Sequence, residues 1–355
     1  MLTMGTVRCV GAAWFVLCAA GCTPKLSVFD DAGAVTAPED APEADTGGGD
    51  DAGGDSGAAW VDADGDGAPA SEDCDDGDAA VFPWDTDGDG VADSCGWQVS
   101  TGSAHTCGVT SMGALRCWGW DRDGQASPPA GTYLSVSVGF AHSCALTTSG
   151  TVECWGSNVN GQSTPPAGAF RSLSAGGLHT CGMTTDGEAL CWGWNEDDQS
   201  TPPPETFVSV SAGWRHTCGV TVEGMARCWG DDFYDQSSRT EPPTDVFQGL
   251  SLGDYHTCGL TSEGAVQCWG DDDEGQATPP MGTFRAVSAG DSHTCGVLDS
   301  GAVRCWGRDE DGQSTPPTGS FLSVSAGDYH TCGVTVGGAV RCWGRNDHGQ
   351  STPPG

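Results

Sequence analysis

The sequence predicts an all-β protein, most of which consists of short units repeated as blades around an axis. The chain has 355 residues, with Gly 56 and Pro 20, a composition rich in turns. Seven cysteine pairs follow one another, and the two members of each pair are ten residues apart. Short alternating segments such as Ser323-Val324-Ser325 recur in the units and are typical of strands.

The charge balance excludes several classes of partner. Asp and Glu number 49 against 13 Lys and Arg, which gives a formal net charge of −36. Nucleic acids and anionic membrane surfaces both require clustered positive charge, so we expect neither as the principal partner. The only lysine is Lys25, which excludes lysine-dependent chemistry from the folded part. The 19 cysteines favour an oxidising compartment.

Residues 1–21 are interpreted as an export signal. Arg8 precedes an apolar stretch over residues 9–20, which is too short to cross a bilayer as a helix. The small residues that end at Gly21 are followed by Cys22, which resembles the lipobox of bacterial lipoproteins, although Ala19 stands where leucine is more usual. The resemblance implies that Cys22 is lipidated and anchors the protein to a membrane, at the outer membrane or cell surface. An ordinary signal peptide cleaved nearby is the alternative.

Cysteine arithmetic agrees with lipidation. Removal of the signal takes Cys9 and Cys18 with it, so 19 − 2 leaves 17, an odd number. Assigning Cys22 to lipid leaves 16 cysteines, an even set for disulfides.

Residues 22–59 are expected to form a disordered acidic tether. The segment contains mainly Asp, Glu, Ala, Gly and Thr, with few large apolar side chains. Such a segment cannot bury enough apolar surface to offset the entropy lost on ordering.

Residues 60–95 are predicted to be a small Asp-rich module that binds calcium. Carboxylates at every second position, with glycines to turn the chain, can surround a hard cation that takes six to eight oxygen ligands. The segment resembles thrombospondin type 3 calcium repeats, but it is not an EF-hand, since Gly96 stands where a bidentate Glu is needed. The alternatives are that residues 60–95 merely continue the acidic tether, or that they bind a transition metal such as copper. We expect Cys74 and Cys95 to pair. The candidate ligands are Asp62, Asp64, Asp66, Asp73, Asp75, Asp85, Asp87, Asp89 and Asp93.

Residues 96–355 form the repeat. Its cysteine pairs are Cys107 with Cys117, Cys144 with Cys154, Cys181 with Cys191, Cys218 with Cys228, Cys258 with Cys268, Cys295 with Cys305 and Cys332 with Cys342. In each unit a glycine, such as Gly338, fills the third position of a three-residue hairpin loop. This loop places Cys332 opposite Cys342, close enough for a disulfide. A metal held by His330 and the two cysteines is the alternative, although the spacing differs from common zinc signatures.

Two stretches of the last unit resemble the repeat of the regulator of chromosome condensation family. They are V-S-A-G-D-Y-H-T at 324–331 and G-A-V-R-C-W-G-R-N-D-H-G-Q at 338–350. The resemblance implies a seven-bladed β-propeller with short blades of three to four strands, close to the compact bacterial members, among them a secreted proteinaceous β-lactamase inhibitor. Asp198 and Asp235 replace a glycine of this pattern, and we expect them to alter local turns without changing the architecture.

Residues that occur in every unit are assigned to the fold. We expect the repeated tryptophans to pack between blades and the repeated histidines to bond between neighbouring strands. Function is therefore sought where units differ, which is after the glycine that ends the first strand and after the Trp-Gly pair. In an antiparallel blade both places lie at one end. Aromatic residues there predict a partner-binding face, or else solvated loops that cover the blade ends: Trp120, Phe140, Trp194, Trp214, Tyr234, Tyr255 and Tyr329.

The predicted function is binding by a tethered propeller that recognises a protein, or a glycan, through this face, with a basic protein partner favoured by the acidic loops. A structural surface protein without a specific ligand and a secreted enzyme inhibitor are the alternatives. No H-E-x-x-H, G-x-S-x-G or phosphate loop occurs in the repeat, so we expect no catalytic residues. A nucleotide-exchange role on a nuclear GTPase would conflict with export. We expect a monomer, with calcium as the cofactor.

Overall fold

The computed structural model describes residues 97–237 and 246–354, and the regular structure in these ranges consists of twenty-one β-strands. The strands in chain order are β1 Gln98–Thr101, β2 His105–Val109, β3 Leu115–Gly119, β4 Tyr133–Val138, β5 His142–Thr147, β6 Val152–Gly156, β7 Phe170–Ala175, β8 His179–Thr184, β9 Ala189–Gly193, β10 Phe207–Ala212, β11 His216–Thr221, β12 Ala226–Gly230, β13 Phe247–Leu252, β14 His256–Thr261, β15 Val266–Gly270, β16 Phe284–Ala289, β17 His293–Leu298, β18 Val303–Gly307, β19 Phe321–Ala326, β20 His330–Thr335 and β21 Val340–Gly344.

Each set of three consecutive strands forms one antiparallel sheet, and the seven sheets are called here the first to seventh blades. The first strands of successive blades contact one another, and β1 also contacts β19, so the blades form a closed ring. The prediction of an all-β repeat fold is confirmed, with three strands in every described sheet.

The predicted parts before the propeller lie outside the described residues. They comprise the signal with Cys22, the acidic tether, the Asp-rich module and the pair of Cys74 and Cys95. In the described part of the chain, no helix has the length and apolarity that crossing a membrane requires.

The hairpin between the second and third strands of each blade has the predicted register. In the seventh blade, Cys332 pairs with Cys342 and Val334 with Val340. Gly338, the third loop residue, has φ 77°, as this type of loop requires. The loop therefore sets the register of the two cysteines, as the sequence predicted.

The seven predicted cysteine pairs of the repeat are all disulfides within single blades. Their Cα–Cα distances are 4.0 to 4.1 Å. The first cysteine of each pair is fully buried, whereas the second, on the third strand, is only half-buried. The alternative of a metal held by the same thiols is wrong, because disulfide sulfurs are no longer thiolate ligands. The bonds join Cys107 and Cys117, Cys144 and Cys154, Cys181 and Cys191, Cys218 and Cys228, Cys258 and Cys268, Cys295 and Cys305, and Cys332 and Cys342.

The hydrophobic core is divided among the interfaces between blades. At the junction of the third and fourth blades, Phe207 is buried against Cys181 and Met183 of the preceding blade, and Trp229 packs on this cluster. The same arrangement recurs with Trp269 at the next junction. The tryptophans thus pack between blades, as predicted.

The half-buried cysteines take part in the same packing. Cys191 contacts the cluster around Phe207, and Cys228 contacts the corresponding cluster at the next junction. These disulfides therefore link the second and third strands of a blade at the point where the next blade packs on them. Equivalent contacts to a junction cluster are made by Cys117, Cys154, Cys268 and Cys305.

A hydrogen-bonded relay crosses each of the same junctions. His179 Nε2 lies 2.8 Å from Thr217 Oγ1, which in turn donates to the carbonyl oxygen of Gln199 at 2.8 Å. Trp229 Nε1 donates to the same carbonyl at 3.0 Å. The histidines therefore bond between neighbouring blades, which is more specific than the predicted contact between neighbouring strands.

The relay fixes the protonation of its histidines. The single hydroxyl hydrogen of Thr217 goes to the Gln199 carbonyl, so His179 Nε2 must carry a hydrogen and donate it. Burial lowers the pKa of His179 to about 3, so near neutral pH the ring carries a hydrogen on Nε2 alone and is uncharged. The other six repeated histidines make the same contact to a Ser or Thr of the next blade.

Asp198 and Asp235 keep the left-handed backbone of the glycine that they replace. Their φ angles are 62° and 59°, in the left-handed region that Gly161 occupies at the same step with φ 84°. At Asp198 one hydrogen bond of the turn is kept, since Thr201 N donates to Asp198 O just as Thr164 N donates to Gly161 O, both at 3.0 Å. Aspartate tolerates this conformation better than most residues, but the backbone at these two positions is strained.

Candidate functional site

The two variable segments of each blade lie side by side. The residue after the third strand donates its backbone N–H to the carbonyl of the residue just before the second strand. Examples are Trp120 N to Ala104 O at 2.8 Å and Asp271 N to Tyr255 O at 2.9 Å. We call the end of the propeller formed by these segments the loop face; the hairpin loops between second and third strands lie at the opposite end.

A first aromatic pair on the loop face joins blades that are not neighbours. Phe140 of the second blade meets Trp214 of the fourth blade edge to face, with ring centroids 4.7 Å apart. Gly177 of the third blade makes this possible, because a Cβ at that position would lie 2.6 Å from Trp214 Cε3. Phe140 remains 40% exposed, so the pair is accessible from solvent.

A second aromatic group spans the fourth and fifth blades. Phe233 contacts Tyr234 at 4.9 Å and Tyr234 contacts Tyr255 at 5.2 Å, measured between ring centroids. Phe233 is 80% exposed and Tyr234 40%. The group is called the outer aromatic cluster. The segments that follow the third strands of these two blades, called here the exit segments, also carry the carboxylates of Asp231, Asp232 and residues 271–274.

The other three predicted residues stand apart from these groups. Trp120 contacts His348 with ring centroids 4.3 Å apart. Two guanidinium groups lie near the ring of Tyr329: its centroid is 5.7 Å from Arg308 Cζ and 5.4 Å from Arg345 Cζ. Trp194 is half-buried, and its Nε1 has no hydrogen-bond partner among the described residues.

The axis of the propeller opens on the loop face. The glycines that end the first strands pack so tightly around the axis that a Cβ on Gly139 would overlap the carbonyl oxygen of Gly176. The contact recurs around the ring and closes from Gly327 to Gly102. A cavity of about 70 Å³ lies here. We call the set of residues that directly follow these glycines the axial mouth: Ser103, Phe140, Gly177, Trp214, Asp254, Asp291 and Asp328.

Three carboxylates of the axial mouth resist ionisation. Burial raises the pKa of Asp328 to about 7, against a hydrogen bond from Ser103 that acts in the opposite direction. Burial, and then the charges of Asp328 and Asp291, raise the pKa of Asp254 well above its usual range. Burial also raises the pKa of Asp291. These groups retain some solvent contact, so they sit at a partly desolvated rim.

The sequence matches the regulator of chromosome condensation (RCC1) repeat at residues 98–125, 134–162, 170–199, 207–236, 247–276, 284–313 and 321–350. The chain belongs to this repeat family. No curated protein matches the chain.

Two similar solved structures are ectodomains of plant receptor kinases. The ectodomain of CR4 from Physcomitrella patens is 27% identical, with a TM-score of 0.61 over 69% of this chain and 72% of that one. The CRINKLY WD40 ectodomain of ACR4 from Arabidopsis thaliana is 28% identical, with a TM-score of 0.59 over 70% of this chain and 94% of that one. Prp20p from Saccharomyces cerevisiae, 15% identical with a TM-score of 0.56 over 65% of this chain and 80% of that one, shares the fold.

Two features of the RCC1-repeat loop face were missed as sites by sequence reasoning. Phe233 is the most exposed aromatic residue of the outer aromatic cluster, but a single residue in an exit segment gives no signal of its exposure. Asp254, Asp291 and Asp328 did carry a signal, because an aspartate follows the axial glycine in three successive units. Their meeting at one opening depends on the ring and is visible only in three dimensions.

The described residues contain no group of three or more His, Cys, Asp or Glu placed to hold a metal ion. The nine aspartates predicted to bind calcium precede the described residues. The chemistry that the loop face offers is therefore contact through aromatic rings and through partly desolvated carboxylates.

Proposed function

We propose that the propeller is a binding module that recognises a basic protein through its loop face and has no catalytic role. The observation that carries this proposal is the exposed outer aromatic cluster of Phe233, Tyr234 and Tyr255, set among carboxylates. Large aromatic side chains are costly to expose to water, and they are frequent hot spots of protein interfaces.

Charge argues for the basic character of the partner. The exit segments at the outer aromatic cluster contain two stretches of acidic residues, at positions 231–232 and 271–274. Two basic side chains on the loop face are paired within it: Arg215 with Asp197 at 2.7 Å, and Arg345 with Asp347 at 2.6 Å. Acidic surfaces of this kind accelerate association with positively charged partners and make it sensitive to salt.

The repeated histidines are unsuited to catalysis. All seven are fully buried, and each uses Nε2 in the relay between blades. Burial lowers the pKa of His105 and His216 to about 3, so these rings are poor bases near neutral pH. Their role is the mutual attachment of blades.

We also propose that the propeller works outside the cytoplasm, tethered through lipid on Cys22. The seven disulfides support export, because such bonds persist in oxidising compartments. The similar CR4 and ACR4 domains are themselves ectodomains. Calcium binding by residues 60–95 belongs to the same proposal and rests on the sequence alone. Cys22→Ser should release the protein from membranes, and unchanged membrane fractionation would contradict the tether.

The binding proposal is tested with peptides selected from a random library on the full chain. We expect selected peptides to be rich in Lys and Arg and to bind more weakly as salt is raised. Phe233→Ala and Tyr255→Ala should each weaken binding by about tenfold or more, since hot-spot aromatic residues contribute about 2 kcal/mol.

The control variants lie on the opposite end of the propeller. Val336 is 61% exposed in a hairpin loop, and Glu263 lies in another, so Val336→Ala and Glu263→Ala remove matched apolar and acidic groups. Both should leave binding unchanged. Peptides that depend on Val336 or Glu263 and ignore Phe233 would overturn the assignment of the loop face.

A further inference from the structure

The axial mouth has two chemically different halves. Phe140 and Trp214 stand on the second and fourth blades, in edge-to-face contact across Gly177. Asp254, Asp291 and Asp328 occupy the same position on the fifth, sixth and seventh blades. The cavity of about 70 Å³ lies between the halves, lined by both aromatic rings and by Asp254 and Asp328.

The two carboxylates that line the cavity, Asp254 and Asp328, have no ion-pair partner among the described residues, and Asp328 receives a hydrogen bond from Ser103. Asp291 does not line the cavity; it receives a hydrogen bond from Ser292 and has the positive charge of Arg308 nearby. The electrostatic neighbours of Asp254 are the other two carboxylates, and no donor reaches it among the described residues. Like charges held together at a partly desolvated rim raise the free energy of the free protein, and a bound cation would lower it.

The aromatic half suits the same kind of ligand. A cation within about 6 Å of an indole or phenyl face is attracted by the ring quadrupole, most strongly to tryptophan. The cavity has room for more than one water molecule, which occupies about 30 Å³ in the liquid. The described carboxylates are not grouped as metal ligands, so the fit is to an organic cation and not to a bare metal ion.

We propose that the axial mouth binds one cationic side chain of the partner, a lysine ammonium or an arginine guanidinium, between Trp214 and Asp254. This inference rests on the proposed function and adds a subsite to it. The outer aromatic cluster would supply apolar contact area, and the axial mouth would select for a single positive charge near the propeller axis.

The test titrates the full chain with Nα-acetyl-lysine methyl ester and follows the indole N–H resonance of Trp214, assigned by its loss in Trp214→Phe. We expect a saturable shift with a Kd on the order of 1–10 mM. The double variant Asp254→Asn with Asp291→Asn should weaken binding about tenfold, because the remaining carboxylate is left alone with the cation. Asp186→Asn removes one charge from an exposed hairpin loop and should change nothing.

Neutralisation of the ligand provides the second control. The Nε-acetylated form of the same ester keeps the length of the side chain but has no charge, and it should give no saturable shift. Equal shifts from both ligands, or unchanged affinity in the double variant of Asp254 and Asp291, would overturn the cation subsite. The selected peptides separate this result from the proposed function. If selected peptides require Phe233 but bind equally well when their own Lys and Arg are replaced, the cation subsite is wrong and the loop face remains the binding surface.

Discussion

At the scale of single residues, two aspartates occupy a conformation that the repeat otherwise gives to glycine. Asp198 and Asp235 have φ 62° and 59°, whereas glycines at this step have values such as 84° at Gly161. No heavy atom lies within 4 Å of a Cβ built at Gly161, so the position restricts the backbone and not the side chain. The cost of aspartate here is therefore conformational strain, free of any steric clash.

Asp198→Gly should stabilise the propeller. Relief of the left-handed strain outweighs the extra freedom that glycine gives to the unfolded chain, for a net gain of about 0.5–1 kcal/mol. Glu196→Gln, on an exposed neighbour of the same loop, controls for the loss of one negative charge. The reverse change Gly161→Asp should lower stability by a similar amount. Thermal unfolding measures all three, and a Gly161→Asp variant as stable as wild type would contradict the strain.

At the scale of elements, the hairpin was predictable and the junction between blades was not. The glycine of the loop and the spacing of ten residues sufficed for the register of Cys332 and Cys342, because both are local in sequence. The contact from His179 to Thr217 joins residues 38 positions apart, and nothing within one unit indicates which neighbour a buried histidine will find. The axial mouth required knowledge of the whole ring for the same reason.

The hairpin disulfides should each contribute separately to stability. The double variant Cys258→Ala with Cys268→Ala removes one disulfide, whose cysteines are 10 residues apart. In the chain-entropy model this should lower the free energy of unfolding by about 2–3 kcal/mol. Both partners are replaced so that no free thiol remains. Urea unfolding gives the cost, and the equivalent combination of Cys144→Ala with Cys154→Ala should agree within about 1 kcal/mol. If both variants are as stable as the wild type, the disulfides have no stabilising role.

At the scale of the whole molecule, the ring of histidines should make the propeller sensitive to acid. Burial lowers the pKa of His179 to about 3 and that of His256 to about 4, against 6.5 in an unfolded chain. The unfolded chain therefore binds more protons below pH 6.5, so this stability is complete above that value and is lost as pH falls towards 4. Each histidine contributes at most about 1.4 kcal/mol per pH unit.

The carboxylates of the axial mouth act in the opposite sense. Because the pKa of Asp328 is raised to about 7, its ionisation destabilises the fold as pH rises from about 4 to 7. Three such groups oppose seven histidines, so a net loss of stability on acidification is expected. Urea unfolding at about pH 7, 5.5 and 4.5 gives the free energy of unfolding at each pH and so measures this loss. Constant stability across this range would argue against neutral buried histidines.

Closure of the ring depends on the junction between the seventh and first blades. His330 Nε2 lies 2.7 Å from Thr106 Oγ1, which donates to Gln350 O at 3.1 Å, so residues more than 220 positions apart repeat the contact made at interior junctions. Thr106→Val removes the hydroxyl, keeps the shape and leaves the histidine N–H unpaired, which should cost about 1–3 kcal/mol. Thr180→Val does the same at an interior junction and is the matched comparison. If all seven junctions contribute equally to stability, we expect both variants to lose the same free energy of unfolding and to unfold in one cooperative transition. If Thr106→Val leaves the free energy of unfolding unchanged while Thr180→Val lowers it, the first and last blades are held together by something other than this relay.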